Sequence, residues 1–186
     1  MSVPRDTIDR AIKKGAGLLD GTVVYDVVTY EGFAPHNVPV IVECLTDNKN
    51  RSASEIRALF RKGQIGSIGA VGWMFDRLGV VEATNKKGGL DIEGEAIEAG
   101  AQDVEALEED EIESGHTGAR FFTAPEDLDS VNKQLTQAGW AISKMELSYR
   151  VKNYVELAPE ARKEVEIFLG DIDDCGDVHR VYAGIK

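Results

Sequence analysis

The chain has 186 residues, 42% hydrophobic and 29% charged, with a formal net charge of −12. This length and balance describe a soluble, globular chain of one large or two small domains and exclude a disordered one. No apolar run approaches the roughly 20 residues of a membrane helix, so no membrane partner is expected.

The N-terminal stretch "MSVPRDTIDR" lacks a signal peptide's apolar core and is too acidic for a transit peptide, so the expected location is cytoplasmic. Residues 4–14 read as a helix, with Pro4 in its first turn, Ile8, Ala11 and Ile12 on one face, and Gly15 at its stop. Two strands follow: "GTVVYDVVTYEG", rich in β-branched and aromatic residues, and the nearly all-apolar "VPVIVECLT", joined by the turn chemistry of "EGFAPHN".

The next helix begins after "TDNKN". Ser52 and Glu55 have capping-box spacing, which predicts Ser52 as the N-cap, and Ile56, Leu59 and Phe60 mark the buried face. Lys49, Arg51, Arg57, Arg61 and Lys62 accumulate here against one acid, Glu55. "TDNKNR" has two readings. It is turn chemistry ending in a cap, or Lys49, Asn50, Arg51, Arg57, Arg61 and Lys62 form a phosphate-contacting patch at a helix start.

"GQIGSIGAVGW" then places Gly63, Gly66, Gly69 and Gly72 three apart. No GK[ST] follows it and it precedes a strand, so it is neither a P-loop nor a dinucleotide fingerprint. It reads either as a flexible connection or as backbone, at Gly66 and Gly69 above all, that approaches a phosphate chain. The strand "AVGWMFDRLGVVEA" comes next. An acidic helix "LDIEGEAIEAGA", a strand "RFFTAP", a helix with Leu128, Val131 and Leu135 on one face, and a strand "WAISKMELSYRV" make up a small α+β unit. A helix with Ala161, Val165, Phe168 and Leu169 on one stripe, stopping at Gly170, and a last strand "GDVHRVYAGI" complete the chain.

The expected organisation is therefore a short N-terminal helical piece (1–19), a discontinuous α/β domain (20–80 and 151–186), and an acidic α/β domain inserted between its halves (81–150). The acidity is local. Residues 91–113 hold eleven acids and no Lys or Arg, which leaves 22 acids against 21 bases elsewhere. A basic patch remains compatible with the overall charge, and the acidic domain has the chemistry to meet a basic protein.

Catalytic and cofactor signals are weak. His36, His116 and His179 are scattered in polar surroundings without metal-ligand spacing, and the acids of 91–113 lack a calcium loop. Cys44 reads as a small buried hydrophobe, and Cys175, among carboxylates, as a poor nucleophile. No enzyme activity, metal or cofactor is expected.

The segments "DTIDRAIKKGAG", "YEGFAP", "VIVECLTDNKNRSASEIRALF", "GAVGWMFDRLGVVE", "TAPEDL" and "DVHRVYAGI" resemble, in order and along nearly the whole chain, the YebC/PmpR family. The resemblance implies an α+β protein with two ferredoxin-like domains, one inserted into the other, behind a basic helical N-terminal domain. It also implies a non-enzymatic, nucleic-acid-binding regulator of gene expression. One form is a ribosome- or RNA-associated translation factor meeting rRNA or tRNA; another is a DNA-binding transcriptional regulator. "VPRDTIDRAIKKGAG" is similar to the last helix of the N-terminal domain, so the chain reads as either a naturally short member or a fragment; for a short member a protein-interaction role without nucleic-acid affinity is a third form. The family's glycine loop usually resembles "GGNLGETGSVAW"; here it is shorter, with Ala70 where serine is usual.

Overall fold

The computed structural model describes residues 24–185; the helix expected over 4–14, and the 1–19 piece it belongs to, lie outside the described residues. Strands β1 (Asp26–Ala34) and β2 (Val38–Thr46) form an antiparallel hairpin with Val28 opposite Cys44 and Gly32 opposite Val40. His36 and Asn37 turn the chain at positive φ, 61° and 59°, in a conformation that Asn and His adopt more readily than most residues. Helix α1 (Lys49–Leu59) and the two-residue strand β3 (Gln64–Ile65) follow. The chain then leaves this sheet and builds a second one: β4 (Phe75–Asn85), α2 (Ile92–Ala99), β5 (Asp103–Ala106), β6 (Thr117–Thr123), α3 (Leu128–Gln137) and β7 (Ala141–Val151). It returns with α4 (Pro159–Asp173) and β8 (Val178–Ala183), which closes the first sheet beside β2.

The strand orders are β3-β1-β2-β8 and β5-β6-β4-β7. In the first unit Val38, Val40, Val42 and Cys44 of β2 pack with Ile56 and Phe60 of the α1 segment and Val165, Phe168 and Ile172 of α4. The period of two along β2 meets the three-to-four period of both helices, so the helices cover one face of the sheet. Phe60 and Phe168 meet edge to face with ring centroids 5.3 Å apart. In the second unit Val81, Ala83, Ala119 and Phe121 pack with Val131, Leu135 and Trp140. This is the expected α+β class.

The reverse face of β2 explains why that strand is apolar throughout. Ile41 points away from the helices and packs with Val71, Phe75 and Val151, joined by Phe33, Tyr149 and Tyr182. Arg180 of β8 donates to the Leu147 carbonyl at 3.1 Å and pairs with Glu146 of β7. The two sheets thus share an apolar seam with a charged pin.

Four sequence expectations change. The strand Phe75–Asn85, expected to span the end of the 20–80 segment, hydrogen-bonds on both sides to β6 and β7 and is central to the second sheet. Strand β5, flanked by acids, is paired to β6 although its own pattern is too polar and short to announce it. Helix α4 runs through Gly170 to Asp173. A single exposed glycine costs a helix only about 1 kcal/mol, and burial of Ile172 two residues onward carries the helix past it. Ser52 does not cap α1; it lies buried within the first turn, and Asn48 is the N-cap.

Candidate nucleic-acid interface

The start of α1 is built around a carboxylate from the far end of the chain. Thr46 and Ser52 are fully buried. The Thr46 hydroxyl lies 3.0 Å from Asp177 Oδ2, and the Ser52 hydroxyl 2.5 Å from the same oxygen. An ionised Asp only accepts, so both hydroxyls donate to it. Thr46 Oγ1 in turn accepts the Asn48 N–H at 3.0 Å, and Asn48 Oδ1 accepts the Arg51 N–H at 3.1 Å, which caps the helix. Arg51 closes the knot, with Nη2 2.7 Å from Asp177 Oδ1, Nε 3.2 Å from Oδ2, and Nη2 2.9 Å from Asp47 Oδ1. The Arg51 guanidinium, then the Ser52 hydroxyl, hold the Asp177 carboxyl below its ordinary pKa. Asp177, then Asp47, push the Arg51 pKa up.

"TDNKNR" is therefore largely a structural motif, and Arg51, expected to meet phosphate, is committed to two of the protein's own carboxylates. The other predicted cations differ. Lys49 lies 3.3 Å from Asp26 and Lys62 3.5 Å from Asp171, as exposed pairs; such pairs are worth little and exchange readily with solvent. Arg57 and Arg61 are exposed and make no ion pair among the described residues. With Ser52, Ile56 and Phe60 inward, the positions Asn50, Ser54, Arg57 and Arg61 fall on the outward side of the helix and its last turn.

The glycine loop also holds an anion, but an internal one. The Glu31 carboxylate accepts the N–H groups of Gly69, Val71 and Gly72 at 2.8, 2.9 and 2.7 Å. Burial works to raise the Glu31 pKa, and the three amides outweigh it, so the carboxyl sits below its ordinary value. Gly66, expected to approach phosphate, gives its N–H to the Glu31 carbonyl at 2.8 Å. A Cβ at Gly66 would fall 2.5 Å from the Ala70 Cβ, and Gly69 takes φ 87°. The glycines serve this fold's own turn, and the amides of Gly66 and Gly69 are not offered to a ligand.

The loop displays two side chains that carried no predicted role. Ile68 is 93% exposed and Trp73 69% exposed. The Trp73 indole N–H donates to the Ala70 carbonyl at 3.2 Å, and the Trp73 carbonyl accepts from Lys152 Nζ at 3.0 Å. Lys152 is also 3.4 Å from Asp76. The tryptophan of the "GAVGWMFDRLGVVE" segment was the only signal available in the sequence, and its presence there does not distinguish a buried ring from a displayed one.

Elsewhere the chemistry is quiet. No group of three or more metal-ligating side chains gathers among the described residues. Cys44 is buried and its thiol is pushed up to about 12, first by burial. His36 pairs with Glu164 at 2.8 Å, and His116 lies 3.5 Å from Glu113. In the acidic unit Glu95 accepts the Trp140 indole N–H at 2.8 Å, whereas Glu93, Glu98, Glu105, Glu108 and Glu113 are exposed. No helix among the described residues is long and apolar enough to cross a membrane.

Residues 25–185 match the family model described as "TACO1/YebC second and third domain". The chain is 52% identical over 187 residues to the "Probable transcriptional regulatory protein Bd1964" of Bdellovibrio bacteriovorus, covering 100% of this chain and 77% of that protein. It is 53% identical to a "Probable transcriptional regulatory protein" of Pseudomonas syringae, covering 99% and 76%. A more distant relative of the same description, TTE1135 of Caldanaerobacter subterraneus, is 39% identical across 100% of this chain and 74% of its own. The fold is similar to the crystal structure of the conserved hypothetical protein Aq1575 from Aquifex aeolicus, with a TM-score of 0.75 and 35% identity over 98% of this chain and 73% of that one. With two four-stranded sheets, the second built between β3 and α4 of the first, and a match over residues 25–185, the chain belongs to the TACO1/YebC family.

Proposed function

We infer that this protein is a non-enzymatic regulator of gene expression that acts by binding nucleic acid, with RNA at or near the ribosome as its target. The observation that carries this reading is the outward side of α1. Arg57 and Arg61 stand there without an ion pair among the described residues, next to Asn50, and flanked by Lys49 and Lys62 in weak exposed pairs. A polyanion displaces the carboxylates of such pairs at small cost, and releases counterions as it binds. Arg51 acts indirectly, by fixing the helix against Asp177.

The same geometry favours backbone contact over base reading in a duplex. Helix α1 lies flat on its sheet and is pinned at its start by the Asp177 knot, so it does not project as a recognition helix does. Small side chains, Ser54 and Ala58, occupy the surface between the cations. The names of the relatives support a second reading, a DNA-binding transcriptional regulator using the same cations. The exposed acids of 91–113 support a subsidiary contact with a basic protein.

Direct competition separates the two. The protein is bound to purified ribosomes or tRNA and challenged with promoter-length duplex DNA over a range of salt. RNA is the target if it competes at least about tenfold better than duplex DNA at equal phosphate concentration. The reverse order makes the DNA reading correct, and binding to neither removes nucleic acid as the target.

A further inference from the structure

The loop that follows α1 has a form that the cationic patch alone does not account for. Glu31 gathers the N–H groups of Gly69, Val71 and Gly72 onto one carboxylate, and the Trp73 indole N–H is fixed to the Ala70 carbonyl. The backbone is thus over-determined while the side chains at its surface are left out of the core. Ile68 and Trp73 are both largely exposed, and Trp73 makes no ring contact among the described residues. Tryptophan is highly buried on average, so a displayed ring on a held backbone is a costly arrangement for a surface with no partner.

The surroundings identify the partner's chemistry. The polar edge of the indole is already satisfied, so what remains open is the apolar ring surface. Lys152 is bonded to the carbonyl of Trp73 itself. In the chain, Arg61 and Lys62 precede the loop, separated from it by the edge strand β3. Asp76 is the nearby acid, and Lys152 is its partner; Glu31 is consumed by the amides. An open apolar ring with the Lys152 ammonium on its own residue's carbonyl suits an unpaired nucleobase, which offers a π-face, an adjoining phosphate and no sequence requirement.

We propose that Trp73, held in position by the Glu31-braced loop, stacks on an unpaired base of a single-stranded RNA segment, with Lys152 beside its phosphate. This deepens and rests on the RNA-binding reading of α1. Glu31 is a positioning residue and touches no ligand.

Intrinsic fluorescence provides a selective readout, because the chain has two tryptophans and the other, Trp140, is 3% exposed. The probe is a short unstructured pyrimidine RNA at low salt, with the same RNA annealed into a duplex as control. Single-stranded RNA should quench the wild-type emission. Trp73→Phe should abolish the quenching while keeping most of the affinity, and Trp73→Ala should weaken binding roughly tenfold, the scale of one stacked base. The duplex should quench little. If single-stranded RNA binds in an Arg57- and Arg61-dependent way without quenching, and Trp73→Ala binds as wild type, the stacking is wrong and the α1 interface stands. If Trp73→Ala loses ribosome association but not RNA affinity, the ring fits a protein pocket and the proposal is overturned. If the wild type binds no RNA, this proposal and the RNA reading fall together. Trp73 is 69% exposed, and circular dichroism of each variant checks that its fold is intact.

Discussion

Arg51 and Asp177 stand 126 positions apart in the chain and meet with Nη2 and Oδ1 at 2.7 Å. Through this pair the turn before β8 fixes the start of α1, and with it the direction in which Arg57 and Arg61 point. The segment that looks most like a binding motif in the sequence is in large part the anchor of the helix that carries the exposed cations.

Removing the anchor has a definite cost. Asp177→Ala takes the acceptor from the buried Thr46 hydroxyl and the main partner from Arg51, whereas Ser52 Oγ still reaches Thr46 Oγ1 at 2.7 Å and the Asn48 carbonyl at 3.2 Å. An unsatisfied buried polar group costs about 1–3 kcal/mol. Urea unfolding should show a loss of about 2 kcal/mol, with the urea dependence unchanged. A loss below about 0.5 kcal/mol would show that the Thr46 hydroxyl finds another acceptor.

The capping assignment is separable from this. Asn48→Ala should cost about 1 kcal/mol, the usual worth of an N-cap side chain. Glu55→Ala should change stability by less than about 0.5 kcal/mol, as for most exposed substitutions, because Glu55 has no capping role and lies beside Cys175 at 3.6 Å. If Glu55→Ala proves the costlier of the two in thermal melts, the capping box centred on Ser52 is restored.

Acid should weaken the fold through Glu31 and Asp177. Both carboxyls have pKa values lowered by folding: Glu31 by the loop amides acting against burial, Asp177 by Arg51 first and then Ser52. Such groups stabilise fully above their unfolded pKa, near 4, and the stabilisation is lost as pH falls through the folded value. Unfolding free energy of the wild type should therefore decline below about pH 4–5. The decline should be shallower in Glu31→Gln, which carries no charge to lose. Parallel pH profiles for the two proteins would contradict the amide-braced carboxylate.

The first core also sets the helix. Phe168 is buried against Phe60, and Phe168→Ala should cost about 3–5 kcal/mol by denaturant titration. A cost near 1 kcal/mol would mean that α1 and α4 do not share a close-packed core.

Local patterns carried much of this fold. Leu128, Val131 and Leu135 announce α3 because their spacing is set within one helix, and the apolar run of β2 announces a strand buried on both faces. Strand partnership is a different matter. Nothing within 75–85 states that Glu82 will face Arg120 rather than extend the first sheet, since pairing depends on residues far along the chain. The cations of α1 were legible as a cluster, but their availability was not. Asp177 neutralises Arg51 from 126 positions away, and Glu31 fills the glycine amides from 38 to 41 positions away. The S-x-x-E spacing misled because Ser52 is drawn into the core by that same distant carboxylate.

If the outward side of α1 binds nucleic acid, its cations set the salt dependence of that binding. The most direct test is the salt dependence of RNA binding for the wild type and the Arg57→Glu/Arg61→Glu variant, each with its circular dichroism recorded. With two phosphate contacts removed from a single strand, the slope of log K against log salt should fall in magnitude by about 1.4 or more, with affinity lost at low salt and the fold intact. An unchanged slope and affinity in a folded double variant would contradict the account.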